Sequence, residues 1–560
     1  MAKRTLSFFS VLVLLCTIMF SCLPAASADD TDVSEETAHI RFLSGRISEF
    51  SVSAEEYRQL QRRMYLSQEP LAESLSINGS APLSIGDGLY YILLDGDENA
   101  ADPVISLVGS AEDAQLVVCG GIDREMLADG GVLRFMVCSG RRYTPFEVNC
   151  RTLPQMFLYV DDEITRDDST GRMLLYDNRA EVGQHWVESD IKIHVRGMSA
   201  SLYPKKGYKL SLTADSRLLD EPRSINLLGL RDDDDWVLYA GYNDPDRIRN
   251  VFSSKLWLES CGTDNAFGIE NGMEYKYIEL YLNDNYYGLY ALGYPIDGKQ
   301  LEISKTADGQ SDEQLYRIRS GDYGIADDGS IYGYTLEDGA EYPDGSKWDA
   351  LRSHLEWMHM LELGHTNNIY DRVDVQNAID MYLFINLVQG MDNINRNFYI
   401  SSKAADSESV MLYTPWDLDL CWGNMWDENL PNYTRQLGNT PSVNVESTSN
   451  PVYYYLKYGD AHMTRLVCER YAELRAGAWS EDAINAILDE YEEDIFFSGA
   501  YQRDIVYWRG SSRRYGTTDL SSFRDYVMQR LECMDEYMGE LSRSAVPVIP
   551  ANMLKTELPA

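Results

Sequence analysis

The sequence is poor in cysteine, in basic residues and in long apolar runs. Its 560 residues include 9 cysteines and no C-x-x-C pair, so neither a structural zinc site nor a disulfide framework is indicated. Beyond Cys16 and Cys22, the cysteines at 119, 138, 150, 261, 421, 468 and 533 are expected as buried unpaired thiols, with room for one bridge among Cys119, Cys138 and Cys150. Lys+Arg 49 face Asp+Glu 89, a net charge of −40. Such a field repels phosphodiester backbones, which argues against nucleic acid as a partner. One stretch alone is strongly apolar: Leu6 to Phe20, behind Lys3 and Arg4 and ahead of Ala25-Ala26-Ser27-Ala28. It reads as a secretory signal peptide, residues 1–28, cleaved after Ala28; a lipoprotein anchored at Cys22 is a second reading of the same segment. No later run approaches the roughly 20 apolar residues of a membrane span. The expectation is a secreted or cell-surface protein with no transmembrane span after cleavage. Protease and esterase signatures are missing as well: there is no G-x-S-x-G, and His354 and His359 are five apart with Glu356 misplaced for H-E-x-x-H.

What is present is ordinary globular composition, 44% hydrophobic and 11% aromatic, and enough length for a large domain and a smaller one. Residues 29–150 read as a small β-rich unit of sandwich type, from runs such as Leu89–Leu94, Val104–Val108, Gln115–Cys119 and Val132–Cys138 between Gly/Asp turns. No catalytic constellation falls there. The boundary lies near Arg151–Pro154, and residues 151–545 then mix strands and helices before a tail, 546–560.

Asp190–Thr213 has the alternation of a hairpin: Ile191, Ile193 and Val195 on one strand, Tyr208, Leu210 and Leu212 on the other. The loop between them holds Gly197, Ser199, Ser201, Pro204, Lys205 and Lys206, and no acid occurs from Ile191 to Ala214. In so acidic a chain this points to an anion cradle; a solvated hairpin face is the competing reading. Asp244-Pro245 has the form of a helix start, with Arg247 and Arg249 near enough to an anion to be candidates. A second hairpin, Tyr275–Leu282 and Tyr286–Leu292, turns at Asn283-Asp284-Asn285. Residues 303–346, polar and rich in Gly and Asp, read as an insertion or mobile loop. Helices are expected at Ser346–Leu361, Asp374–Val388 and through Ser480–Leu541.

After the Asp374–Val388 helix come Asp392 and, five residues on, Asn397. A strand, a polar turn and a second strand follow, then Pro415-Trp416-Asp417-Leu418-Asp419. Helix, D-x-x-x-x-N, hairpin and acidic motif is the order used in phosphoryl transfer by protein kinases. There an aspartate accepts the hydroxyl proton, and an asparagine and a second aspartate hold Mg²⁺ by hard oxygens. Two other readings share these residues: turn and helix caps, or a glycosidase pair, Asp392 and Asp417, beside Trp416 and Trp422. The basic loop separates them, since a triphosphate needs such a cluster and a sugar does not.

At these residues the sequence resembles the CotH-like atypical protein kinases, a family named for a spore-coat protein. The resemblance runs through Arg196-Gly197 with Ser199, Pro204-Lys205-Lys206, Tyr208-Lys209, Asp234-Asp235-Trp236, Arg249-Asn250, Glu279-Leu280-Tyr281-Leu282-Asn283, Gly288-Leu289-Tyr290, Asp392 with Asn397, and Pro415 to Asp419. It spans about Leu153 to Arg543. The fold it implies is α+β, a protein-kinase-like two-lobed domain preceded by the small β-sandwich-like unit. The activity it implies is transfer of the γ-phosphoryl of ATP, with Mg²⁺ or Mn²⁺, to Ser/Thr of surface or coat proteins. On that resemblance Asp392 is the catalytic base, Asn397, Asp417 and Asp419 are metal ligands, and Arg196, Ser199, Lys206 and Lys209 hold the nucleotide. Lys209 would be the principal phosphate lysine, paired with Glu259 or Glu279. Met198 departs from the family, which has a small polar residue there. The alternatives are an inactive surface or coat assembly or adhesion protein that only binds, and a carbohydrate-active enzyme.

Overall fold

The computed structural model describes residues 41–545 apart from 80, 85–89, 95–101, 178–185, 216–220, 305–311, 320–323, 326–329, 340–345, 406–407, 425–449 and 510–516. The signal-peptide and Cys22 readings and the tail 546–560 fall outside the described residues. The fold is α+β, and no helix among the described residues is long and apolar enough to cross a membrane.

The first part of the chain builds two sheets on one core. Arg41–Arg46, Val104–Gly109 and Ala72–Ile77 form a three-stranded sheet. Gln115–Cys119, Val132–Ser139, Arg142–Arg151 and Tyr90–Leu93 form the body of the other. Alternation sends Ile105 and Leu107 from one and Val118, Phe135, Val137 and Val148 from the other into shared contact. The seven cysteines among the described residues are free thiols, with no bridge among Cys119, Cys138 and Cys150. Burial pushes the Cys150 thiol up to about 12, which leaves it inert.

Seven strands then close into a barrel, in the order Gln155–Val160, Ser169–Tyr176, Trp186–Arg196, Gly207–Thr213, Asp235–Tyr239, Asn285–Gly293 and Tyr275–Leu282. The closing seam is parallel, Gln155 opposite Glu279 through Leu158 opposite Leu282. Apolar positions of period two, including Met156, Ile191, Ile193, Leu210, Leu212, Trp236, Ile278 and Leu292, fill its interior. Both expected hairpins are antiparallel pairs of this barrel.

The remaining chain packs helices against a four-stranded sheet ordered Tyr334–Gly339, Gln314–Ile318, Phe398–Ala405, Glu408–Pro415. Two expectations are corrected here. Residues 303–346 are not merely an insertion, because Gln314–Ile318 and Tyr334–Gly339 are sheet strands and Leu315, Tyr316 and Ile318 are core. The helix near Asp244 begins at Arg249, since the Asp244 carboxylate accepts from Arg249 N at 2.6 Å, too far along for a helix to start at Pro245. Asp374 does cap Val375–Val388, accepting from Asn377 N. Asn377 bonds both ways to the backbone of Tyr413, at 3.0 and 2.7 Å, and so fixes that helix to the last strand.

Buried charge joins the first part of the chain to the barrel. Glu279 receives Arg151 at 3.2 Å and Arg503 at 2.8 Å, while Tyr91 packs edge-on to Phe157 and Tyr281. Helix Ala500–Trp508 carries Arg503, which reaches Glu279, and next to it the buried Asp504.

His354, 3% exposed in helix Asp349–Glu362, has Nε2 3.2 Å from the Tyr413 hydroxyl and Nδ1 without a partner among the described residues. Burial, aided by Arg372, pulls its pKa down to about 3. The unfolded chain takes a proton near 6.5 that the folded chain refuses, so stability is retained above 6.5 and lost as pH falls toward 3. The expected slope is on the order of 1.4 kcal/mol per pH unit. Urea midpoints between pH 7 and pH 4 should show it, and His354→Gln should flatten it; an equal slope in the variant would refute the assignment.

Candidate active site

The first hairpin delivers its loop to a cleft. Gly197 turns the chain out of the strand at φ +92°, a conformation that favours glycine, and a short helical turn, Ser199–Leu202, follows. The loop is braced from below. Lys206 Nζ donates to Ser201 O at 2.7 Å, Ser201 Oγ to Met198 O at 2.7 Å, and Tyr290 hydroxyl to Lys206 O at 2.9 Å. Lys206 is therefore spent on its own loop. Lys209 lies on the outward face of its strand, where its ammonium meets Asp235 at 2.9 Å; neither lysine lines the cleft. Glu279 is held by arginines, and Glu259 stands 3.9 Å from Lys255, so neither pairs with Lys209.

The lysine that does line the cleft is Lys205. Its ammonium, fully buried, donates to Asp504 at 2.6 Å and to Leu289 O at 2.5 Å. Asp504 also accepts from Arg247 Nε at 3.0 Å and from Leu289 N at 3.0 Å. Burial pulls Lys205 down to about 8, against the attraction of Asp504. Gly288 is required beside this group, because a Cβ there would stand 2.5 Å from an Asp504 oxygen. Arg247 and Arg249 are not anion ligands: the first is buried on Asp504, the second on Asp244 and Asp246.

The opposite wall is built by the segment after helix Val375–Val388. Asp392 is held from two sides, Asn397 Nδ2 donating at 2.7 Å and Arg396 Nε lying at 3.1 Å. Asn393 Nδ2 donates to Asn397 O at 2.9 Å and Trp416 O at 2.6 Å, which ties this loop to the acidic motif. Asn250 Oδ1 accepts from Leu418 N at 2.8 Å, and Asn243 donates to Asp419 at 2.7 Å. Asn397 and Asp417 both adopt φ +56°. Asn and Asp tolerate this left-handed geometry better than other side chains, and strain of this kind gathers at functional sites.

Arg196, Ser199, Asp392, Asn397, Asp417 and Asp419 thus line one cleft of about 440 Å³, a volume suited to a small ligand. Desolvation pushes the Asp417 carboxyl up, with Asp392 adding and Arg196 and Arg317 opposing; Asp419 is pushed further, by burial and then by Asp417. The Tyr239 hydroxyl, also in the cleft, is buried without a partner among the described residues. Crowded carboxylates and an orphaned hydroxyl leave a place that a cation and its ligands would satisfy. Among the described residues no three His, Cys, Asp or Glu side chains form a ready-made metal cage; two aspartates and an amide suit Mg²⁺, which keeps positions for water and phosphate. Trp422 is fully buried, and Trp416, 6% exposed, has Arg196 and Arg317 over its ring, so neither offers a face to a sugar.

Arg317, Arg319 and Arg396 also line the cleft, and Asn243 and Asn250 support it. The sequence signal for the first two was an Arg-x-Arg alternation in a base-poor chain, hidden in a stretch read as insertion. The order of these parts coincides with a known family. The model of the CotH kinase protein family matches residues 193–534, more than half of the chain, and the chain belongs to that family. No curated protein matches it.

Proposed function

We propose that this CotH kinase family member is an exported phosphotransferase that moves the γ-phosphoryl of ATP, with Mg²⁺ or Mn²⁺, to Ser/Thr of surface or coat proteins. The observation that carries the reading is the convergence of Asp392, Asn397, Asp417 and Asp419 with Arg196 in one cleft. In this reading the barrel and the sheet-and-helix layer are the two lobes of a kinase-like domain, 151–545, and residues 29–150 are a separate β-rich domain. Asp392, oriented by Asn397 and Arg396, accepts the acceptor hydroxyl's proton. Arg196 and the amides and Ser199 hydroxyl of the loop hold phosphates. Asn397, Asp417 and Asp419 would hold the divalent ion, whose contribution is to neutralise charge on the phosphates. Lys206 and Lys209 act at one remove: the first fixes the loop, the second pairs with Asp235 on the barrel.

The test is thermal stability of the protein with ATP, with and without Mg²⁺ or Mn²⁺. A ligand at 100 times its Kd adds about 2.7 kcal/mol of stability. Metal-dependent stabilisation that Asp417→Ala abolishes is the expected result. Saturating nucleotide with either metal and no shift in the wild-type protein would refute the reading and favour a protein that assembles without nucleotide.

A further inference from the structure

Several bases in and near the cleft are already taken by carboxylates. Arg247 is held by Asp504, Arg249 by Asp244 and Asp246, and Arg396 by Asp392. Arg317 differs. It forms no ion pair or hydrogen bond through its guanidinium with any described residue, although the chain carries 89 acids. Aromatic faces hold it instead, Tyr399 at 5.8 Å and Trp416 at 5.8 Å from the ring centroids. Contacts of this kind fix the plane of a guanidinium without consuming its N–H donors.

Its place in the fold is equally specific. Strand Gln314–Ile318 pairs Arg317 with Tyr399, two residues beyond Asn397, at the sheet end where Trp416 and Asp417 emerge. Arg196 reaches the same indole from the barrel wall, at 5.1 Å. Two guanidinium groups, from the barrel wall and from the sheet, therefore lie against one ring, that of Trp416 beside Asp417.

We infer that Arg317 is a catalytic residue that clamps the transferring phosphoryl group, supplying from within the chain the charge that an arginine finger supplies elsewhere. The inference rests on the phosphotransferase reading above. In the step, the bond from the γ-phosphorus to its bridging oxygen breaks and the electron pair leaves with the nucleoside diphosphate. The acceptor oxygen bonds phosphorus, and its proton passes to Asp392. Charge spreads over the three equatorial oxygens in the transition state, where a fixed, partly desolvated guanidinium counts most.

The experiment compares the full chain with its Arg317→Met and Arg317→Lys variants, in Mg²⁺–ADP with and without aluminium fluoride, a planar mimic of the group in transfer. Wild-type protein should gain thermal stability from Mg²⁺–ADP and a further increment from the fluoride. Arg317→Met should keep the first and lose the second, with phosphate transfer down on the order of 10³-fold, and Arg317→Lys should recover part of both. Unliganded melting points show whether each variant folds. The inference is overturned if Arg317→Met keeps the fluoride increment, if it loses the Mg²⁺–ADP shift itself, or if wild-type protein gains nothing from the fluoride. A wild-type protein unmoved by Mg²⁺–ADP and Mg²⁺–ATP alike fails at the phosphotransferase reading instead.

Discussion

Asp392→Asn is expected to lower phosphate transfer by about 10²–10⁴-fold, the range for loss of a positioned general base, while metal-dependent nucleotide stabilisation persists. The two effects separate because Asp392 is oriented by its own neighbours, Asn397 at 2.7 Å and Arg396 at 3.1 Å, while Asp417 and Asp419 keep their carboxylates in the variant. An asparagine keeps the shape and one acceptor oxygen, so the loop geometry set by Asn393 survives. Transfer is read with labelled ATP against a pooled peptide substrate, and binding by the melting shift. A variant retaining transfer within a few-fold of wild type would remove Asp392 from the chemistry. A wild-type protein that binds metal and nucleotide but transfers nothing would make this a binding protein with a kinase-like site.

The second large effect is on stability. Asp504 is fully buried between Lys205 and Arg247, and removing one partner of a buried ionic group costs roughly 3–5 kcal/mol because the charges left behind are uncompensated. Asp504→Ala should therefore shift the urea midpoint sharply downward. The pH dependence has a definite sign. Although burial opposes ionisation, Lys205 and Arg247 prevail and hold the Asp504 carboxyl below its usual 3.8. Its contribution is present above that value and is lost as pH falls below it. The variant should lack that part of the acid limb. An unaltered midpoint would mean that water or a rearranged side chain satisfies both cations. Since Lys205 lines the cleft, a weaker nucleotide shift in the surviving folded protein is expected alongside.

Much of this arrangement is written in short-range pattern. Alternation marks both barrel hairpins, the helix expected at Asp374–Val388 is met at Val375–Val388 with Asp374 as its cap, and Asp392, Asn397, Asp417 and Asp419 share one cleft. Other features depend on partners far away in the chain. Strand polarity shows Lys209 on a polar face, but only closure of the barrel makes that face its exterior. Lys205 looks like one more loop lysine until Asp504 arrives to bury it. Gln314–Ile318 is a short strand among Gly and Asp, where turn composition outweighs an alternation of five residues. Arg317 lies within that strand. Asp244 misleads for a different reason, since its carboxylate reaches the helix by a longer loop than capping patterns assume.

The bond between Lys205 and Asp504 spans 299 residues. A chain made from its first residue onward holds the cleft loop long before the helix that anchors it exists. The seam from Gln155 to Glu279 imposes a shorter wait of the same kind on the barrel. Contacts so distant in sequence carry their loop-closure entropy before any reward is collected, which places completion of the cleft among the late events of folding. A fragment ending before helix Ala500–Trp508 holds Arg196, Ser199, Asp392, Asn397, Asp417 and Asp419, yet lacks the carboxylate that keeps the loop in place. A braced cleft loop is in this sense a sign that helix Ala500–Trp508 has been made and docked.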